Sequence, residues 1–132
     1  MAQEEDALQK EYEVLIKAKG NEITGYCLMS FTSSQEVIGT IVNEFGIKVF
    51  DFIYANGKAK IINVIAPLNK WYIRKILRKD MHFILTNIDN ATCDYEIRKG
   101  KRVMKMTLSG DIVVENRRHN ITYTFTNNKT TE

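Results

Sequence analysis

Between Gln35 and Asn87 the apolar positions fall into three short alternating runs, QEVIGTIV, IKVFDFIY and KAKIINVI. A run with helical spacing follows, starting near Pro67 and ending in HFIL. Three strands feeding one helix, with more strands beyond, predict a curved antiparallel sheet holding a helix in its concavity. Upstream, Tyr12 to Ala18 and Glu22 to Thr32 alternate in the same way and are separated by Lys19-Gly20-Asn21, whose Gly and Asn tolerate the positive φ of a tight hairpin. Ser33-Ser34 turns the chain into Gln35 to Asn43, and Glu44-Phe45-Gly46 leads to Ile47 to Tyr54. Ala55-Asn56-Gly57 is the clearest hairpin turn and precedes Lys58 to Ile65, after which Pro67 stops the strand and can open a helix. Thr92 to Lys99, Lys101 to Ser109, Asp111 to Glu115 and Asn120 to Thr126 resume the strand pattern, with turns at Gly100, Gly110 and Asn116-Arg117-Arg118-His119. The expectation is an α+β domain of about nine antiparallel strands, a strongly curved sheet or incomplete barrel, with a helical insertion packed in its concave face.

The two faces of each element carry the functional question. Glu22 to Thr32 places Ile23, Gly25, Cys27, Met29 and Phe31 on one side and Thr24, Tyr26, Leu28 and Ser30 on the other. In Ile47 to Tyr54 both sides are largely apolar: Ile47, Val49, Asp51 and Ile53 against Lys48, Phe50, Phe52 and Tyr54. A central strand covered on both faces by the helix and a second layer, partner or loop explains this, and so does a strand with one face lining a ligand pocket. Along the helical run, Tyr72, Ile73, Ile76 and Leu77 share one side, while Lys70, Arg74, Lys75, Arg78 and Lys79 lie mostly away from it. Trp71 falls among these cations, which fits an ordinary solvated face as well as a membrane-interface ring beside anionic headgroups. Asp80 reads as a break, with Met81, Phe83, Ile84 and Leu85 forming a short second turn or a buried run.

Composition bounds these readings without choosing between them. At 132 residues, 44% hydrophobic and 27% charged, the chain is sized for one globular domain. Residues 1–10, with Glu4, Glu5 and Asp6, read as a flexible leader, 11–126 as the domain and 127–132 as a polar tail. No apolar run reaches the roughly 20 residues of a spanning helix, and Ala2-Gln3-Glu4 resembles the start left by signal cleavage. A net charge of +3, with no interleaving of basic and aromatic residues on a strand face, gives no reason to expect nucleic acid.

Signals for chemistry are sparse. His82 and His119 lack partners at metal-ligand spacing and read as structural or surface residues. Asp94 and Glu96 share a strand face, an arrangement far commoner as an exposed acidic pair than as a general acid and base. There is no phosphate-binding Gly loop and no Gly-x-Ser-x-Gly elbow, so neither an enzyme nor a cofactor is expected. Cys27 and Cys93 lie in separate strand candidates; in an oxidising compartment they could bridge, although buried free thiols are the commoner arrangement.

The segment NEFGIKVFDFIYANGKAKIINVIAPLNKWYIRKILRKDMHFIL, with its FGIKVFDFIY-turn-KIINVI pattern and its order of strands and helix, resembles the central part of the LolA/LolB-like periplasmic lipoprotein carriers. As topology the likeness runs over Tyr12 to Phe125. It implies an apolar half-barrel shielding an acyl chain of a lipoprotein or other amphiphile in the bacterial envelope. It also implies a periplasmic location, or outer-membrane anchoring if a lipobox cysteine lies ahead of Met1. No residue role is carried across from the family.

The leading expectation is thus a non-enzymatic envelope protein that binds a lipid or lipoprotein acyl chain between sheet and helix. Phe31, Phe50, Phe52, Ile62, Ile76 and Leu77 are its candidate cavity wall, and Trp71, Lys70, Arg74, Lys75 and Arg78 its candidate membrane surface. The alternative is a protein-interaction or homodimerising module whose apolar face is covered by a partner. A hydrolase using Asp94 and Glu96 is a distant third.

Overall fold

The computed structural model describes residues 8–32, 35–88 and 94–128. Strands β1 (Leu8–Ala18), β2 (Asn21–Phe31), β3 (Val37–Asn43), β4 (Lys48–Ala55) and β5 (Lys58–Ile62) run up and down and lead to helix α1 (Trp71–Asn87). Strands β6 (Tyr95–Lys99), β7 (Arg102–Met106), β8 (Ile112–Asn116) and β9 (Ile121–Asn127) follow it. All nine form one antiparallel sheet in the order β5-β4-β3-β2-β1-β9-β8-β7-β6. Its centre is β1, which pairs with β2 through Tyr12↔Cys27 and with β9 through Val14↔Phe125. Leu8–Lys10, assigned to a leader on polarity, thus belong to the central strand, and Asn127 closes β9 instead of opening a tail.

Helix contacts reveal the curvature. α1 packs on β5 and β4 at one end of the strand order and on β7 near the other. In a flat sheet β5 and β7 would lie about 34 Å apart, whereas a helix is only about 10–12 Å across. The sheet must therefore curl around the helix, leaving β5 and β6 as unjoined edges of an open barrel. Hydrogen bonds tie the helix to both flanks. On one, Tyr54 and Thr86 hydroxyls lie 3.0 Å apart and His82 Nε2 meets the Gly57 carbonyl at 3.0 Å. On the other, the Tyr95 hydroxyl donates to the Asn87 carbonyl at 2.9 Å.

Local sequence chemistry sets the details. Asn56 and Gly57 take φ of 55° and 75°, the left-handed pair that a two-residue hairpin needs to match strand twist. The ladder between β3 and β4 slips between Ile41 and Val42, so Ile41 faces Phe50 while Val42 faces Lys48. Val49 is the extra residue of this bulge. Both Val49 and Phe50 are consequently buried, despite being neighbours in a strand. The two apolar faces of β4 thus have a local cause: Val49, Phe50 and Phe52 enter the core, whereas Asp51 and Ile53 remain half-buried outside.

The helix differs from its expected form. Asp80 does not break it: α1 continues without interruption to Asn87, burying Leu77, Asp80, Met81, Phe83, Ile84 and Leu85. Pro67 sits instead in a separate 3-10 turn, Ala66–Leu68, ahead of it. Tyr72, expected on the apolar side, is 48% exposed, because the first turns of α1 project beyond the packed middle of the sheet.

Candidate functional site

The interior is filled at its middle and open at its ends. Phe52, Met29, Met81, Ile84, Met104 and Tyr123 form part of a continuous core between sheet and helix. The Phe52 ring lies over Gly39, where an added Cβ would overlap its Cζ, so glycine at that point lets the ring meet the sheet.

At the end where α1 begins, a groove of about 670 Å³ lies between helix and sheet. Its apolar wall comprises Ile16, Ile23, Val49, Phe50, Ile65, Leu68, Ile73, Ile76, Leu77 and Ile121, while Asn21, Glu22, Thr24, Asn43 and Glu44 supply its polar lining. The helical period explains the wall: Ile73, Ile76 and Leu77 fall on the sheet-facing side of the turns that overhang the core. Phe45, 78% exposed in the β3–β4 turn, also borders this groove. A second space of about 550 Å³ lies at the opposite end, among Phe31, Val37, Tyr54, Leu85, Tyr95 and Ile97, with Thr32, Gln35, Glu36, Thr86 and Asn87 contributing polar groups.

The six candidate wall residues do not share one cavity. Phe50, Ile76 and Leu77 meet at the larger groove, Phe31 borders the opposite space, and Phe52 is sealed in the core. Ile62 lies on edge strand β5, 40% exposed and opposite Asp51. Of the candidate surface residues, Trp71 is 69% exposed and Lys70, Lys75 and Arg78 are exposed. Arg74 is half-buried and donates to the Asn69 side-chain carbonyl.

The most elaborate polar cluster was not anticipated from the sequence. The buried Asp80 carboxylate accepts hydrogen bonds from Arg102 Nε at 2.8 Å, Asn116 Nδ2 at 2.8 Å and the Tyr123 hydroxyl. These donors come from β7, β8 and β9, so one side chain fastens the helix to three strands. Asp80 and Tyr123 are fully buried and Asn116 nearly so, whereas Arg102 retains 27% of its side-chain exposure. Burial, reinforced by the Asp80 charge and hydrogen bond and opposed by the Arg102 charge, raises the Tyr123 hydroxyl well above the usual tyrosine range. A sequence signal did exist: with Leu77 three residues before and Ile84 four after, Asp80 occupies a buried-face position of the helical period.

The acidic pair on β6 and its approach has structural partners. Asp94 accepts from the Leu108 backbone N–H at 2.7 Å, and Glu96 pairs with Arg98 at 2.9 Å. Cys27 is a free, buried thiol raised above its usual range by desolvation; Cys93 lies outside the described residues. Desolvation first, and the neighbouring Cys27 second, push the Tyr12 hydroxyl up to about 12. No group of three His, Cys, Asp or Glu side chains suited to a metal ion occurs among the described residues. No helix among them is long and apolar enough to cross a membrane. Comparison with known proteins finds no family model that matches the chain and no curated protein significantly similar to it.

Proposed function

We propose that this chain is a non-enzymatic binding protein that holds the acyl chain of a lipid or lipoprotein in the groove beneath the start of α1. The observation that carries this reading is the groove itself: about 670 Å³, apolar on both its sheet and helix walls, with polar groups in the same lining. That volume falls within the roughly 300–1,000 Å³ typical of small-ligand sites. An amphiphile fits the division of chemistry, its tail against Ile73, Ile76 and Leu77 and its polar end near Asn21, Thr24 and Asn43. The resemblance of Asn43–Leu85 to LolA/LolB-like carriers, together with the open curved sheet around a helix, supports placing this activity in the bacterial envelope, either periplasmic or anchored at the outer membrane.

A second reading, an interaction or homodimerising module, is favoured by a different observation. Tyr26, Leu28 and Ile38 project from adjacent strands on the outer face of the sheet, each more than 40% exposed. One experiment separates the two: delipidated protein titrated with a fluorescent fatty acid while its mass in solution is followed by light scattering. Saturable uptake by a monomer supports the groove. A concentration-dependent dimer without uptake supports the interaction module and contradicts the groove.

A further inference from the structure

The solvent side of α1 has an unusual charge distribution. Trp71, Lys75, Arg78 and Lys79 recur at the i, i+4, i+7 and i+8 spacing of one helix face, with Lys70 at the N-cap and Arg74 beside them. The only acidic residue in the helix is Asp80, which is buried and paired with Arg102. Local helix energetics do not ask for this pattern, because cations near a helix N-terminus oppose the helix dipole and acids there would favour it. The first turn contains no acid, and no side chain caps its N-terminus.

Exposed aromatic groups accompany the cations. Trp71 is 69% exposed and packs edge-on to Tyr72, with ring centroids 5.8 Å apart. Phe45 projects from the β3–β4 turn beside the groove, whose lining also includes Leu68 and Ile73 on either side of Trp71 in sequence. Cations beside an exposed Trp71 on the outer face of α1, with Phe45 at the groove opening, complement an anionic lipid interface, where headgroup phosphates meet the charges and the rings sit at headgroup depth. Two carboxylates border the same opening. Glu22 pairs with Lys17 at 3.7 Å, and Glu44 accepts a hydrogen bond from the Thr24 hydroxyl at 2.7 Å.

The geometry points to a docking surface for an anionic bilayer, formed by Trp71, Lys75, Arg78 and Lys79 on the outer face of α1, the helix whose opposite face walls the groove, and extended by Phe45 at the end where the helix starts. Its purpose rests on the acyl-binding reading above, since docking there places the apolar groove beside the source or destination of an acyl chain. A soluble polyanion would satisfy the cations but leave Trp71 and Phe45 in water, so the exposed rings favour the bilayer.

Trp71 is the only tryptophan in the chain, so its emission reports this surface directly. Full-length delipidated protein is mixed with vesicles of phosphatidylcholine alone or with phosphatidylglycerol added, and binding is measured by cosedimentation. The expected result is binding to the anionic vesicles only, with a blue shift of Trp71 emission, quenching by brominated lipid and weakening by salt. Lys75→Gln with Lys79→Gln should lower partitioning about 30-fold, and Phe45→Ser, in a surface turn, should reduce the quenching. Equal binding to neutral vesicles, or binding without an emission change, overturns the proposal. So does competition by heparin that leaves Trp71 emission unchanged. Fatty-acid uptake is measured on the same samples. Uptake without vesicle binding overturns the docking surface alone; vesicle binding without uptake upholds docking and overturns the groove reading alone.

Discussion

Replacing Asp80 with Ala removes the acceptor shared by three donors on three strands. Arg102 is 27% exposed and can turn toward water, but the Asn116 amide and Tyr123 hydroxyl, at 1% and 0% exposure, are left buried without that partner. Each stranded donor costs about 1–3 kcal/mol, in line with the roughly 3–5 kcal/mol measured when one member of a buried pair is deleted. We therefore expect Asp80→Ala to cost about 3–5 kcal/mol. At about 2.1 cal/mol/K per residue, a chain of 132 residues has an unfolding entropy near 0.28 kcal/mol/K, so Tm should fall by about 11–18 °C. Tyr123→Phe removes one donor while preserving the ring, and should cost about 1–2 kcal/mol. The double variant should be less destabilised than the sum of the two, because the stranded hydroxyl is absent from it. Urea denaturation followed by circular dichroism measures all three, and Asp80→Asn, which retains one carbonyl acceptor, serves if the Ala variant does not fold. A loss below about 1 kcal/mol for Asp80→Ala, or strict additivity in the double variant, would refute the role of Asp80 as the helix fastening.

Gly39→Ala should destabilise the domain by about 1–3 kcal/mol in urea titrations, because the new Cβ drives the Phe52 ring from the sheet; an unchanged midpoint would contradict that packing. In alkali, Tyr12 and Tyr123 should remain protonated while the protein is folded. Their raised folded values contribute stability that is intact below about pH 10 and is lost as pH rises toward the folded values. Tyrosinate absorbance should therefore rise in step with loss of circular dichroism, and a native protein with all six tyrosines ionised would be incompatible with their burial. Asp51 behaves oppositely. Desolvation raises it, but the neighbouring Thr40 hydroxyl, hydrogen bonds from Asn63 and Lys48 and the Lys48 charge outweigh this and hold it below its usual value. Its contribution is present above about pH 4 and lost as pH falls through the folded value. The stability gap between wild type and Asp51→Asn should accordingly narrow in acid, and a gap that widens there would show the sign to be wrong.

The fold was legible where local chemistry and periodicity agree. Gly57 and Asn56 mark a hairpin by their tolerance of positive φ, and the alternation in Glu22 to Thr32 separates buried Cys27 and Met29 from exposed Tyr26 and Leu28. The site was harder to read because its form depends on non-local geometry. Alternation alone gives Val49 the outer face of its strand; only the register slip with β3 turns it inward. Phe31 and Phe50 satisfy the same alternation rule, yet the packed middle of the sheet places them beside different spaces. Asp80 reads as a break in the sequence because charge opposes burial, and the donors that make burial tolerable lie 22, 36 and 43 residues further along the chain.

Methyl NMR of the isoleucines during titration of delipidated protein with a fatty acid tests the groove most directly, because these residues lie on both sides of the sheet. Ile16, Ile23, Ile65, Ile73, Ile76 and Ile121 line the groove, whereas Ile38 and Ile53 face outward on β3 and β4. The expected result is saturable shifts at the first group, with contacts from the acyl chain to Ile73 and Ile76, and no change at Ile38 or Ile53. Shifts centred on Ile38 and Ile53, or none at saturating fatty acid, would contradict acyl binding beneath the helix.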